Sequence, residues 1–286
     1  MDINDKLKYN VDCFKERYNQ YDDIEDPFEK AIKKALGDFT FRTTKKQKDI
    51  DVKGVEELYE QICFDPNNFC SDPNNLLINR FKDYGVDNYS EKDAFDEWHK
   101  TTCDALMNVL EKLYQSIHYG KAQKIVNMTF KYLYCISNDR NDNYYKYCHI
   151  PLDSIILDWI WANKSVFQDA YDKFNMYDPF QHQYFENWSN LDYSNNKFDG
   201  KRYSYMFFQE LIRAFCEDKK ITPLQLEFLV WPQFQWEKAA KEFCKQTENM
   251  LNINSNMDEK SANKLLYSIY ELLENKLILI DWKNDL

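Results

Sequence analysis

Residues 93–135 read DAFDEWHKTTCDALMNVLEKLYQSIHYGKAQKIVNMTFKYLYC, and their periodicity decides the fold class. Ala94, Phe95, Trp98, Leu106, Val109, Leu110, Leu113 and Ile117 recur at three- and four-residue steps, which is one apolar face of a helix. After Tyr119-Gly120 a second helix opens, with Ala122, Ile125, Val126, Phe130 and Leu133 inward. Its opposite, polar face carries Lys124, Asn127 and Lys131.

The same period extends outward in both directions. Residues 137–147 read as a polar loop, after which Pro151-Leu152-Asp153 starts a helix with Ile156, Trp159, Ile160 and Phe167 inward and Asp153 as its N-cap. Tyr203 to Cys216 reads as a helix with Phe208, Leu211, Ile212 and Phe215 on one side. Thr222-Pro223-Leu224-Gln225 is a helix start, with a capping Thr, Pro at the first helical position and Gln three residues after the cap. That helix reads as core, with Glu227 its one acidic candidate for contact with a base, and Pro232 interrupts it. A last helix runs from Asp258 to Ile280. Residues 180–200 lack a period and are expected to form an exposed loop, and turns are expected at 65–68 and 72–75. The expected architecture is all-α, a compact helical bundle of two lobes. An N-terminal region, 1–92, forms one unit with the main helical domain, 93–286.

Composition agrees with a folded chain. Of 286 residues, 44% are hydrophobic and 17% aromatic, enough for a sizeable core. With only 5 Gly and 7 Pro, propellers and tight-hairpin sandwiches are poor readings. No apolar run reaches membrane-span length, and MDINDKLKYN lacks a signal peptide's apolar stretch, so a soluble cytoplasmic monomer is expected. The 8 cysteines form no C-x-x-C pair and the 4 histidines show no finger spacing, so reduced thiols and no bound metal are expected.

Charge separates two functional classes. The net charge is −11 and pI near 5.0, unlike the basic footprint that phosphate contacts want. Residues 119–150 depart locally from that balance. Lys121, Lys124, Lys131, Arg140 and Lys146 face only Asp139 and Asp142, interleaved with Tyr119, Phe130, Tyr132, Tyr134, Tyr144, Tyr145 and Tyr147. Cations among aromatic rings are what nucleic-acid grooves use.

Within this segment Gly120-Lys121-Ala122-Gln123-Lys124-Ile125-Val126-Asn127, followed by Ile150-Pro151-Leu152-Asp153, resembles the helix-hairpin-helix DNA glycosylase superfamily and its 8-oxoguanine DNA glycosylase/lyase branch. That branch reads G-x-G-x-K-[VI]-[AV]-[DN] at the hairpin and V-P-V-D at the next helix start. The resemblance covers Ile117 to Trp161. It implies a helix-hairpin-helix element with Gly120 and Ala122 at the hairpin glycine positions, Ala122 standing where the family has its second glycine. Lys124 is implied as nucleophile and Asp153 as the carboxylate that balances the cationic sugar. DNA contacts are expected at Gly120, Lys121, Ala122, Lys131 and Arg140, with His149 and Asn127 behind the pair. The implied partner is duplex DNA with a flipped base, damaged or hypermodified, and no cofactor is implied. The alternative is a non-catalytic acidic interaction protein, such as a DNA mimic, for which the net charge and the stretches 22–26 and 91–93 speak.

Overall fold

The computed structural model describes residues 3–17, 26–38, 46–47, 54–63, 77–86, 91–136, 142–174, 180–194 and 196–234. Among them the regular structure is helical, and the only β pairings are two isolated bridges, Lys46 with Tyr114 and Phe198 with Tyr203. The helices are α1 (Ile3–Arg17), α2 (Pro27–Asp38), α3 (Val55–Cys63), α4 (Leu77–Val86), α5 (Lys92–Leu113), α6 (Tyr119–Ile136), α7 (Asp142–Tyr145), α8 (Ser154–Ala162), α9 (Gln168–Asp172) and α10 (Tyr205–Lys219). A further helix, α11, covers 223–234. The expected helix at 258–280 and the turns at 65–68 and 72–75 lie outside the described residues.

Local signals set several helix starts. Asp153 adopts extended backbone before α8 and accepts hydrogen bonds from the Ile155 and Ile156 amides, satisfying two donors that a helix start leaves open. Ser204 does the same for α10 through Phe207. At α11 the Gln225 amide donates to Thr222 Oγ1 (3.2 Å) and the Thr222 amide to Gln225 Oε1 (2.9 Å), a reciprocal capping box.

Pro232 does not stop α11, which continues to residue 234. A proline inside a helix removes the N–H that would reach the carbonyl four residues back, here that of Phe228. Asn10 Nδ2 on α1 donates to that carbonyl at 3.0 Å instead. A side chain more than two hundred residues away in sequence thus offsets the loss.

The central element is α6. Its apolar face packs against α5, where Phe130 meets Phe95 and Trp98, with Phe81 and Tyr84 of α4 completing an edge-to-face cluster. Its other sides meet α1, α2 and the 188–190 turn. The polar face therefore does not look into solvent: Gln123 and Asn127 are fully buried and Lys131 is 2% exposed. Helical period shows which residues share a face, not what covers that face. Helices from 1–92 pack directly on α6, and one apolar cluster runs from Leu7 to Val230.

Residues 180–194 and 196–200 form a largely irregular segment, as expected, with His182, Gln183, Asn187 and Asn190 exposed, but it lies against the start of α6. Leu191 is buried and its carbonyl accepts the Gly120 amide at 2.8 Å. A Cβ on Gly120 would overlap the Trp188 carbonyl oxygen, so only glycine admits this approach. Phe180, Tyr184, Phe185, Trp188, Tyr193 and Phe198 of the segment also pack against the core, at spacings that follow no helix or strand period.

No helix among the described residues is long and apolar enough to cross a membrane. Cys63, Cys103, Cys135, Cys148 and Cys216 are buried free thiols, and Cys13 is exposed.

Candidate functional site

Two residues singled out in the sequence meet. Lys124, in the second turn of α6, places Nζ 3.1 Å from Asp153 Oδ2, their side chains 17% and 12% exposed. The two oxygens of Asp153 divide the work. Oδ1 takes the Ile155 and Ile156 amides at 2.9 and 3.1 Å, while Oδ2 faces the amine. The cap therefore fixes the carboxylate without consuming the oxygen that meets Lys124.

Two indoles close around this pair. The Lys124 ammonium lies 5.0 Å from the centre of the Trp188 ring. From the other side Trp231 Nε1 donates to Asp153 Oδ2 at 3.3 Å.

Seven residues along α6, on the same face, Lys131 Nζ lies 2.7 Å from Glu227 Oε1. Its ammonium faces the rings of Phe14, Trp231 and Phe228 at 4.1, 5.2 and 5.3 Å. Glu227 is 1% exposed. Burial raises its carboxyl above the ordinary range, against the pull of the Lys131 charge. Its second oxygen, Oε2, has no hydrogen-bond partner among the described residues, an unusual state for a buried carboxyl. The two ion pairs and Trp231 form one constellation. The signal for it in the sequence was a single charge inside the apolar run Leu224 to Trp231, because a lone buried charge needs a partner. Its partner, 96 residues earlier, was not legible there.

The remaining expected site residues lie elsewhere. Ala122 is fully buried, and the Gly120 amide is engaged by Leu191. Lys121 is 6% exposed, its Nζ donates to the Ser116 carbonyl, and burial lowers its pKa. Arg140 lies outside the described residues, and Lys146 is exposed. Of the basic side chains expected to meet phosphates, Lys121 and Lys131 thus point into the fold, because α1, α2, α5 and the 188–190 turn pack around α6.

His149 and Asn127 belong to a buried polar chain behind the pair. Asp96 accepts from His149 Nε2 at 2.9 Å, which leaves Nδ1 to accept from Tyr205 Oη at 2.8 Å. Asn127 Nδ2 donates to Tyr205 Oη at 3.0 Å, and Asn127 Oδ1 accepts from His99 Nε2 at 2.8 Å. His99 Nδ1 in turn accepts from Tyr119 Oη at 2.9 Å. Arg213 closes the end by pairing with Asp96 at 2.6 Å. Burial and the Arg213 charge push His149 down to about 4, and burial with the His149 charge pushes His99 well below its usual value. Burial opposes ionisation of Asp96, but His149 and Arg213 outweigh it and hold the carboxyl well below the ordinary range. Both histidines are therefore neutral at pH 7.

No group of three or more His, Cys, Asp or Glu side chains among the described residues could hold a metal ion. No protein-family model, curated protein or solved structure matches the chain.

Proposed function

We propose that the protein is a DNA glycosylase with AP-lyase activity that excises a damaged or modified base, Lys124 serving as nucleophile and Asp153 as its electrostatic partner. The observation that carries this reading is the contact of Lys124 Nζ with the uncapped oxygen of Asp153 at 3.1 Å. Asp153 thereby stands beside the Lys124 amine, with the Trp188 and Trp231 indoles flanking the pair.

The chemistry follows from that pairing. The Lys124 ammonium gives up a proton, the freed amine attacks the sugar C1′, and the glycosidic bond breaks with its electron pair leaving on the base, which takes up that proton. Positive charge develops on the sugar ring, and the Asp153 carboxylate balances it in a low-dielectric setting where such a charge acts strongly. Ring opening gives an imine between Lys124 and the sugar. Loss of the C2′ proton then expels the 3′ phosphate by β-elimination and cuts the strand. The flipped base stacks on Trp188 or Trp231 and offers a donor to the unpartnered Glu227 Oε2. On this reading Lys131 anchors the base-reading carboxylate, α5 and α6 form the helix-hairpin-helix element, and the 188–191 segment lifts when DNA reaches the start of α6.

The test is base release from duplexes carrying a panel of oxidised and hypermodified bases, at low salt. Asp153→Asn keeps a good cap but removes the balancing charge, so release slows by about 10²–10³-fold while duplex binding persists. An Asp153→Asn variant as fast as wild type refutes the assignment.

One observation favours a second reading, a non-catalytic acidic interaction protein. Lys6, Lys33, Lys34, Lys121 and Lys131 are all buried, which leaves the surface more acidic than the composition states. Absence of duplex binding at low salt, with tight binding to a basic partner, selects this reading.

A further inference from the structure

Residues 149–153, His-Ile-Pro-Leu-Asp, raise a question of backbone chemistry. All five are buried, yet none lies in a helix or pairs with a strand. Buried peptide groups need partners, and Pro151 supplies no N–H of its own.

Two glutamine side chains provide them. Gln123 Oε1 accepts the Leu152 amide at 3.3 Å while Gln123 Nε2 donates to the Leu152 carbonyl at 2.9 Å. Gln209 on α10 repeats the arrangement at Ile150, accepting its amide at 3.1 Å and donating to its carbonyl at 2.9 Å. A carboxamide carries both a donor and an acceptor, so each glutamine replaces the peptide group of a missing neighbouring strand. Gln123 is itself fixed at both ends. Its Nε2 also reaches the Gly120 carbonyl at 2.8 Å, and its Oε1 accepts Asn127 Nδ2 at 2.8 Å.

The sequence neighbours make this more than packing. Gln123 precedes Lys124, and Leu152 precedes Asp153. Two adjacent pairs are therefore tied through one carboxamide. We propose that Gln123 is a positioning residue: its carboxamide grips the Leu152 peptide and so holds Asp153 at hydrogen-bond distance from Lys124. The catalytic consequence rests on the glycosylase reading, but the clamp itself does not. Gln209 grips the same segment from α10, on the far side of Pro151.

The test uses the full chain with Gln123→Glu and Gln123→Met, compared at matched folded fraction by urea titration. Gln123→Glu keeps size and acceptor but loses the donor, and serves if Gln123→Met does not fold. Amide exchange is read first. In wild type the Leu152 amide is protected despite lying outside helix and sheet. In Gln123→Met, which removes the acceptor, exchange at Leu152 speeds up about two- to tenfold, the effect of losing one hydrogen bond. In both variants the Asp153-capped amides of Ile155 and Ile156 exchange faster by a similar factor, because the grip on the Leu152 carbonyl is lost. Unchanged exchange at Ile155 and Ile156 overturns the proposal.

The second readout separates positioning from general stability. Base release depends on Asp153, whereas borohydride trapping on a preformed abasic site depends on Lys124 alone. Misplacing Asp153 by about 1 Å slows release by roughly 10²-fold and leaves trapping within a few-fold of wild type. Equal loss of both steps, at matched folded fraction, shows a structural role only and overturns the proposal. A wild type that neither releases base nor traps an abasic site refutes the glycosylase reading, and exchange at Ile155 and Ile156 then decides the clamp by itself.

Discussion

Removing Lys131 tests the interior of the site quantitatively. Its ion pair with Glu227 is 2.7 Å long and almost fully enclosed, with side chains 3% and 2% exposed. Breaking such a pair by deleting one partner strands the other charge and costs about 3–5 kcal/mol. Lys131→Met is close in length and fills the same space, so that figure applies with little added for a cavity. Glu227→Gln is milder, because the remaining ammonium keeps three aromatic faces at 4.1, 5.2 and 5.3 Å, each able to return about 0.5–2 kcal/mol to a desolvated cation. It should cost about 1–3 kcal/mol. The double variant should fall short of the sum by up to about 3 kcal/mol, as expected for neighbours that share one interaction.

The pH dependence gives the sign. Burial raises the Glu227 carboxyl above its ordinary value of 4.5, and loss of Lys131 raises it further. A group with a raised folded pKa stabilises fully below its unfolded value and loses that contribution as pH climbs through the folded one. The cost of Lys131→Met should therefore shrink as pH falls from 7 towards 4.5, by up to about 1.4 kcal/mol per unit over the titrating range. Urea unfolding at pH 7, 6 and 5, with m constant, is the assay. A cost below about 1 kcal/mol at pH 7, unchanged at pH 5, refutes the enclosed pair.

Two further perturbations probe other parts of the fold. Gly120→Ala drives a methyl into the Trp188 carbonyl, and despite a helix-propensity gain near 1 kcal/mol it should destabilise by about 1–3 kcal/mol. Thermal melting checks this, and a raised Tm contradicts the close approach. The buried histidines predict acid sensitivity. With His149 at about 4 in the fold against 6.5 when unfolded, the unfolded chain binds the extra proton, and stability is lost as pH falls from 6.5 towards 4. From 6.5 to 5 the loss from His149 is about 2 kcal/mol, and His149→Gln should flatten that slope. A urea midpoint that holds steady from pH 7 to 5 contradicts the neutral buried pair.

What the sequence showed and hid follows from the range of the interactions. Caps are local, so Asp153 and the Thr222–Gln225 box were legible from spacing, and each is found doing that work. The period of 93–135 likewise marked α5 and α6 and their apolar faces. Coverage is non-local. Nothing near Lys131 announced Glu227, and nothing near Pro232 announced Asn10, whose amide lets α11 pass through the proline. The same blindness made the face bearing Lys124, Asn127 and Lys131 read as open. Gln123 drew no notice because a glutamine beside a lysine is unremarkable until its carboxamide is seen gripping Leu152. Gly120 was expected as a hairpin glycine in contact with DNA, and nothing in the sequence announced the Trp188 backbone that packs against it.

The most direct test of the central claim is borohydride trapping followed by peptide mapping of the adduct. Wild-type protein is incubated with duplexes bearing modified bases or a preformed abasic site, and the imine is reduced to a stable amine. The account predicts one cross-linked peptide with the sugar remnant on Lys124, and no adduct with Lys124→Ala at equal folded fraction. An adduct mapping to another residue, or trapping that survives Lys124→Ala, contradicts it.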